Sequence, residues 1–318
     1  MIFPITIMIW EKIKLRNNVF YGRIFILKGG IFMDKAQFLI SKIFTIPYFD
    51  RLIEKNNVPD SFQKCITRYV KDDQELTYGK VISRIYSYMD NEYRNEYYYK
   101  NTLFNNLLLQ KHSLLETAAL TELPIANSKA DFVMINGKGI VYEIKTDLDN
   151  LQRLESQIID YYKVFKYVNV VVSKKQLEKV KEFLQETKVG IYELTDSKKF
   201  ICRKKPYSNK DGLSYQALFQ MLRKKEFESI LMKYYGKLPE VNDFDYYREA
   251  LRLIEKKISI SRFQELVMTA LKERTILLEE EVFKNQVPEE LSFYVYFSKK
   301  NRTNYKLVNE FLKKTVGV

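Results

Sequence analysis

The sequence predicts a mixed α/β (α+β) fold, a central sheet flanked by helices and extended by helical regions at both ends. Three observations predict it. Residues 131–145, DFVMINGKGIVYEIK, hold two short apolar runs joined at Asn136-Gly137, a dipeptide suited to a tight hairpin turn. Val168-Asn-Val-Val-Val172 is a near-continuous β-branched run, the pattern of a strand buried on both faces. Around these, apolar residues recur at helical spacing.

In chain order, residues 34–45, 61–70 and 77–89 carry helical stripes, with Asp60 or Ser61 as a cap for the second. A helix beginning near Glu96 continues through NTLFNNLLLQ at 101–110, and a strand follows at 119–125. After the hairpin, Thr146, Asp147 and Asp149 supply cap and first-turn chemistry for a helix whose stripe is Leu151, Leu154, Ile158, Tyr162 and Phe165. The run at 168–172 is followed by a helix at 176–186 and a strand at 189–194, which completes an α-β-β-β-α-β-α-β series. Beyond Pro206 the spacing predicts helices at 215–235, 243–257 and 261–278, with Leu218, Leu222 and Phe227 on one stripe and breaks at Pro239 and Pro288. Four regions result: 1–32, a helical 33–90, a sheet-bearing core at 91–205 and a helical 206–318. No repeat or long linker interrupts them, so one body with two helical flanks is expected.

The hairpin also carries chemistry. Side chains alternate along a strand, so Glu143 and Lys145 share a face, as do Asp131, Val133 and Ile135. A three-residue loop sets Asp131 across from Glu143. Two carboxylates and an ammonium then converge on an apolar sheet, which is costly unless a metal or substrate compensates them. An isolated E-x-K reads as an ordinary exposed ion pair. Here the order of the surrounding elements argues against that.

With these residues and this order of elements, the segment at roughly 91–200 resembles the PD-(D/E)xK nuclease superfamily. Asp131 matches its aspartate and Glu143-Ile144-Lys145 its E-x-K, while Gln157 and Tyr161 resemble the Q-x-x-x-Y extension of RecB-like nucleases. Ala130 stands where the family has a proline, and over the whole chain the likeness is to an uncharacterised bacterial branch. The resemblance implies a restriction-endonuclease-like α-β-β-β-α-β core sheet and a metal-dependent hydrolase of phosphodiester bonds. Asp131, Glu143 and the Ile144 carbonyl would hold Mg²⁺ or Mn²⁺, as suits hard oxygen donors. Lys145 would position the attacking water or stabilise the transition state. Family members often carry a glutamate on the first helix, and Glu96 has that spacing. Glu122 in the first strand competes with it for the same role. Gln157 would orient Lys145 or a metal-bound water, with Tyr161 in support. Degenerate members also exist, so a non-catalytic nucleic-acid-binding or interaction module is the alternative reading.

Composition agrees with a polyanionic partner. Lys and Arg number 53 against 40 Asp and Glu, a formal net charge of +13, which favours salt-sensitive nucleic-acid affinity; the nuclease resemblance implies DNA more than RNA as the partner. Lys174-Lys175 and Arg203-Lys204-Lys205 are the nearest basic runs, although such runs are usually solvated surface. The richness in Lys, Ile, Asn and Tyr also fits an A+T-rich genome, which raises the basic count independently of binding. Cys65 and Cys202 lie in no metal-ligand spacing and His112 is the sole histidine, so zinc and histidine-metal sites are excluded and a cytoplasmic, reducing setting is expected. Gly29-Gly30 and Gly137/Gly139 form no nucleotide loop of Walker or dinucleotide type. A role in phage defence or a mobile element, a protein partner on the helical flanks and a dimer are further expectations.

The apolar start at 1–10 is too short to span a bilayer and lacks a leading positive charge. Lys28-Gly29-Gly30 can be encoded as a ribosome-binding sequence just upstream of Met33. Translation is therefore expected to begin at Met33, with 1–32 an untranslated leader. The alternative is an interfacial apolar anchor.

Overall fold

The computed structural model describes residues 10–15, 18–27, 31–55, 58–70, 76–274, 280–298 and 305–316. The chain divides into two units, Met1–Asn101 with Gln286–Val318, and Thr102–Asn285.

In the first unit, β1 (Trp10–Leu15), β2 (Asn18–Leu27) and β3 (Ile31–Asp34) form an antiparallel sheet. The expected leader thus falls partly on residues 1–9, 16–17 and 28–30, outside the described residues, and partly on these strands. The helices are α1 (Lys35–Ile43), α2 (Ile46–Lys55), α3 (Asp60–Tyr69), α4 (Tyr78–Glu92) and α5 (Glu96–Leu103), the last ending just past the unit's boundary. Thr77 caps α4 by accepting from the Lys80 amide at 3.3 Å. For α3 the cap position is Pro59 rather than Asp60 or Ser61, and no side chain bonds to it. The stripe of α2 lies in a stretch the sequence reading leaves unassigned; Pro47 in its first turn lacks only an amide that a helix start leaves unpaired anyway. Phe44, Phe49 and Tyr97 pack edge-on or tilted at its core, with Tyr294 against Phe49.

The second unit is built on a six-stranded sheet in simple sequential order. Its strands are β4 (Ala118–Ile125), β5 (Ser128–Asn136), β6 (Lys138–Lys145), β7 (Tyr167–Ser173), β8 (Gly190–Leu194) and β9 (Phe200–Lys204). The first three form an antiparallel meander. β6, β7 and β8 run parallel, joined by crossovers through α6 (Leu154–Tyr162) and α7 (Lys174–Phe183), and β9 returns antiparallel to β8. β7 is buried on both faces, as its β-branched run requires. Val168, Val170 and Val172 join Val133, Val141, Leu154, Ile158 and Leu177 in one core. On the opposite face Phe132, Tyr142 and Tyr192 stack edge to face.

Four differences from the sequence-based expectations have physical causes. The helix after Glu96 does not stay α-helical: Phe104–Leu109 widens into π-helix, with the Gln110 amide reaching back to the Asn105 carbonyl. The residues at 146–149 make a turn of their own, and α6 starts only at Leu154. β9 went unsignalled because FICRK, an exposed edge strand, buries too little to show a pattern. The helical stretch 215–235 is also two helices, α8 (Tyr215–Gln220) and α9 (Lys224–Tyr235); Glu226 accepts the Arg223 amide and so begins the second. They are followed by α10 (Asp243–Lys257) and α11 (Ile260–Glu273), which pack into the sheet's core through Ile254, Phe263, Val267 and Leu271. Among the described residues no helix is long and apolar enough to cross a membrane.

Candidate functional site

The β5–β6 hairpin turns at Gly137, whose φ of +64° is the left-handed conformation that only glycine takes without strain. Asn136 then pairs with Lys138, Val133 with Val141 and Phe132 with Tyr142. One step further, this register brings Asp131 level with Glu143. The Asp131 carboxylate accepts from the Ile144 amide at 2.7 Å, which ties the two strands together at that level.

Glu143 is buried, its side chain 2% exposed, and Lys145 beside it is 9% exposed. The Lys145 ammonium donates to Glu143 Oε1 at 2.8 Å and to Gln157 Oε1 at 2.9 Å, while Gln157 Nε2 donates back to Glu143 Oε1 at 2.5 Å. Glu143 Oε2 lies 2.6 Å from the Tyr161 hydroxyl, which also stands 2.8 Å from the Lys129 carbonyl. Burial first, and then the neighbouring Glu143 charge, push the Tyr161 hydroxyl far above its ordinary value, so it remains a donor at any working pH. Gln157 and Tyr161 lie four apart on α6, on the turn that faces the sheet. A buried charge pair of this kind is tolerable only with its remaining valences satisfied, and these helix residues satisfy them.

Glu122 lies opposite Asp131 in the β4–β5 ladder, between the pairs Thr121–Phe132 and Leu123–Ala130. Its φ of +53° is strained for a residue with a Cβ. The carboxylate is half exposed, pairs with Lys129 at 3.2 Å and comes within 4.8 Å of the Asp131 carboxylate. Glu96 opens α5 in the other unit, where it pairs with Lys100 at 2.5 Å.

The oxygen donors of Asp131, Glu122 and Glu143 are of the hard type that suits Mg²⁺ or Mn²⁺. Glu143 already receives three donors, so it would enter a metal's shell only by exchanging one of them. The sequence reading offers the Ile144 carbonyl as a ligand; the contact seen at Ile144 is its amide, donating to Asp131.

Basic residues divide into two groups. Lys145 pairs with Val172 in the parallel ladder, and Lys174 and Lys175 follow directly as the exposed first turn of α7, at the same end of the sheet. Arg203, Lys204 and Lys205 form the second group, on and just after β9. Arg203 is committed to buried Glu193 at 2.6 Å. The Lys204 ammonium donates to the carbonyls of Leu184, Gln185 and Thr187 and so closes the end of α7. These contacts tie β9 to β8 and to the end of α7, whereas Lys205 is exposed.

Sequence reasoning missed Gln176. Buried on α7, its Nε2 donates to the carbonyls of Thr146 at 3.2 Å and Asp149 at 2.9 Å, fixing the turn that follows Lys145. Asp149 Oδ2 accepts from both the amide and the hydroxyl of Thr146 at 2.7 Å in the same turn. Its position one turn before Val180 and two before Leu184, on the apolar stripe of α7, was the only signal in the sequence.

Comparison with known proteins bears on this unit. Residues 89–293 match the model of the family described as bacteriophage P4 protein cII. Protein cII of Enterobacteria phage P4 is 26% identical over 174 residues, which cover 52% of this chain and 63% of that protein. The match thus spans less than two thirds of the relative's own length. No solved structure matches the chain. The family match covers the sheet, the Glu143–Lys145 cluster and the helices that pack on them, and the chain belongs to the bacteriophage P4 protein cII family.

Proposed function

We propose that the chain is a metal-dependent phosphodiester hydrolase with a restriction-endonuclease-like PD-(D/E)xK core, acting on nucleic acid and on DNA in preference to RNA. The observation that carries this reading is the convergence of Glu143, Lys145 and Gln157 in a nearly dry position level with Asp131. An aliphatic core gains nothing from such a cluster, and a buried, hydrogen-bonded charge pair in a sheet is a functional candidate. Asp131 and Glu143 would hold Mg²⁺ or Mn²⁺, with Glu122 beside Asp131 as a further acid. An ion held there would lower the pKa of a bound water and offset charge on the phosphate. Lys145 offers a fixed ammonium to the non-bridging oxygens as their charge grows, and Gln157 holds that ammonium in place. Lys174 and Lys175, at the same end of the sheet, would bind the neighbouring phosphates. Membership of a phage protein family agrees with a role on a mobile element.

One observation favours a second reading, a nucleic-acid-binding module that keeps the fold without cleaving. Lys145, Gln157 and Tyr161 together satisfy the Glu143 carboxylate with no metal. Incubating the chain with Mg²⁺ or Mn²⁺ and linear, circular and single-stranded DNA and RNA separates the two, with Glu143→Gln and Lys145→Ala alongside. Cleavage lost in both variants with binding retained supports the hydrolase. Binding without cleavage by the unaltered chain supports the second reading.

A further inference from the structure

At the far end of the sheet from Lys145, the hairpin turn, the start of β7, the loop at 206–211 and α11 enclose a cavity of about 570 Å³. That is the size of a small-molecule site. Lys138 and Lys145 are seven residues apart on β6, so about 23 Å separates this cavity from the charged cluster at ~3.3 Å per residue.

Four lysines line it: Lys138, Lys166, Lys210 and Lys272. Among the described residues none of these four ammonium groups makes an ion pair. Two acids also line the wall, but Glu265 is matched by Arg262 at 2.8 Å, so positive charge dominates. Elsewhere in this unit exposed lysines pair readily, as Lys181 with Glu178 and Lys188 with Asp211 do. Four like charges around one concavity repel each other and are stabilised by a bound anion. The Ser208 hydroxyl, another lining group, is buried without a hydrogen-bond partner. Its loop is fixed, because the Asn209 amide donates to the Lys166 carbonyl at 2.9 Å. The Tyr167 ring also lines the cavity, with the Lys138 ammonium 5.3 Å from its centroid. Ammonium groups, a hydroxyl and an aromatic surface within one small cavity match a phosphate ester joined to a flat ring.

We propose that this cavity binds a nucleotide, its phosphates among Lys138, Lys166, Lys210 and Lys272 and its base against Tyr167. The proposal is independent of any cleavage at the sheet. The nucleotide is either free or part of a strand, and the chemistry is the same for both.

Calorimetric titration of the full chain with ATP, inorganic pyrophosphate and a dT hexanucleotide tests this. Saturable one-to-one binding of ATP or of the hexanucleotide is expected, and the tighter of the two identifies the source. Lys166→Ala with Lys272→Ala is expected to weaken that binding at least tenfold, and Lys166→Arg with Lys272→Arg to retain it. If the alanine pair does not fold by circular dichroism, Lys138→Gln with Lys210→Gln, both at exposed positions, gives the same reading. Tyr167→Leu is expected to weaken the nucleotide probes and leave pyrophosphate unchanged. The proposal is overturned if neither nucleotide probe binds at millimolar concentration, or if a folded lysine pair variant binds like the unaltered chain. Equal loss of ATP and pyrophosphate in Tyr167→Leu overturns the placement of the base.

Discussion

The ammonium of Lys145 lies 2.8 Å from the carboxylate of Glu143, and both side chains are almost closed to solvent. Such a pair costs desolvation, and removing one partner leaves the other charge uncompensated, at about 3–5 kcal/mol. Lys145→Met is therefore expected to lower stability to urea by about 3 kcal/mol, and adding Glu143→Gln to recover much of that loss. Simple addition of the two single effects would show that the pair is not coupled.

Gln157 touches both members of this pair and positions them. Loss of such an orienting group commonly costs about 10–100-fold in activity. For Gln157→Ala, kcat for cleavage is expected to fall at least tenfold with KM little changed. A rise in KM alone would place Gln157 in substrate binding instead.

Two carboxylates make stability fall in acid. Burial alone would raise the Asp160 carboxyl, but hydrogen bonds from Lys163 and Ser128, each 2.7 Å, outweigh it and hold the group below its ordinary value. Glu226 is likewise lowered, since Arg274 and the Arg223 amide outweigh burial. With the folded value below the unfolded one, their contribution is complete above the unfolded value and is lost as pH falls through the folded one. Melting temperature should thus decline below about pH 4, and Asp160→Asn with Glu226→Gln should flatten that decline. An unchanged acid slope in the double variant contradicts the assignment.

The two thiols should behave differently. Cys202 is exposed on β9, whereas burial in α3 pushes the Cys65 thiol up to about 12. A thiol reagent at pH 8 is expected to label one equivalent rapidly in the folded chain and a second only in denaturant. Rapid labelling of both would show that α3 does not bury Cys65.

Gly139 marks a close approach beside the hairpin. A Cβ there would fall 2.4 Å from Met268 Sδ and 2.7 Å from a Phe165 ring carbon. Gly139→Ala is expected to destabilise by about 1–3 kcal/mol, as overpacking does. An equally stable variant would mean that α11 does not lie against β6.

Where a residue's own pattern determined its placement, the sequence was readable. The β-branched run became the buried β7, and Asn136-Gly137 set the register that brings Asp131 level with Glu143. Gln157 and Tyr161 were legible because a four-residue spacing on a helix fixes a shared face. The remaining features depend on partners distant in sequence. Lys204 reads as a free cation until the end of α7 is seen beneath it, and Gln176 as an ordinary polar residue until the 146–149 turn packs against it. Glu122 carries no local sign of its positive φ, since neither glycine nor asparagine stands there. The four cavity lysines lie on four separate segments, and only the packing of α11 against the hairpin brings them together.

Glu143 and Lys145 are proposed to serve phosphodiester hydrolysis. Its most direct measurement is cleavage of linear and circular DNA by the unaltered chain and by Glu143→Gln, with Mg²⁺ or Mn²⁺ and with EDTA. Metal-dependent cleavage by the unaltered chain is expected, with at least a hundredfold loss in Glu143→Gln and DNA binding that the substitution leaves intact. Intact DNA in every lane containing a folded, DNA-binding unaltered chain would contradict the proposal.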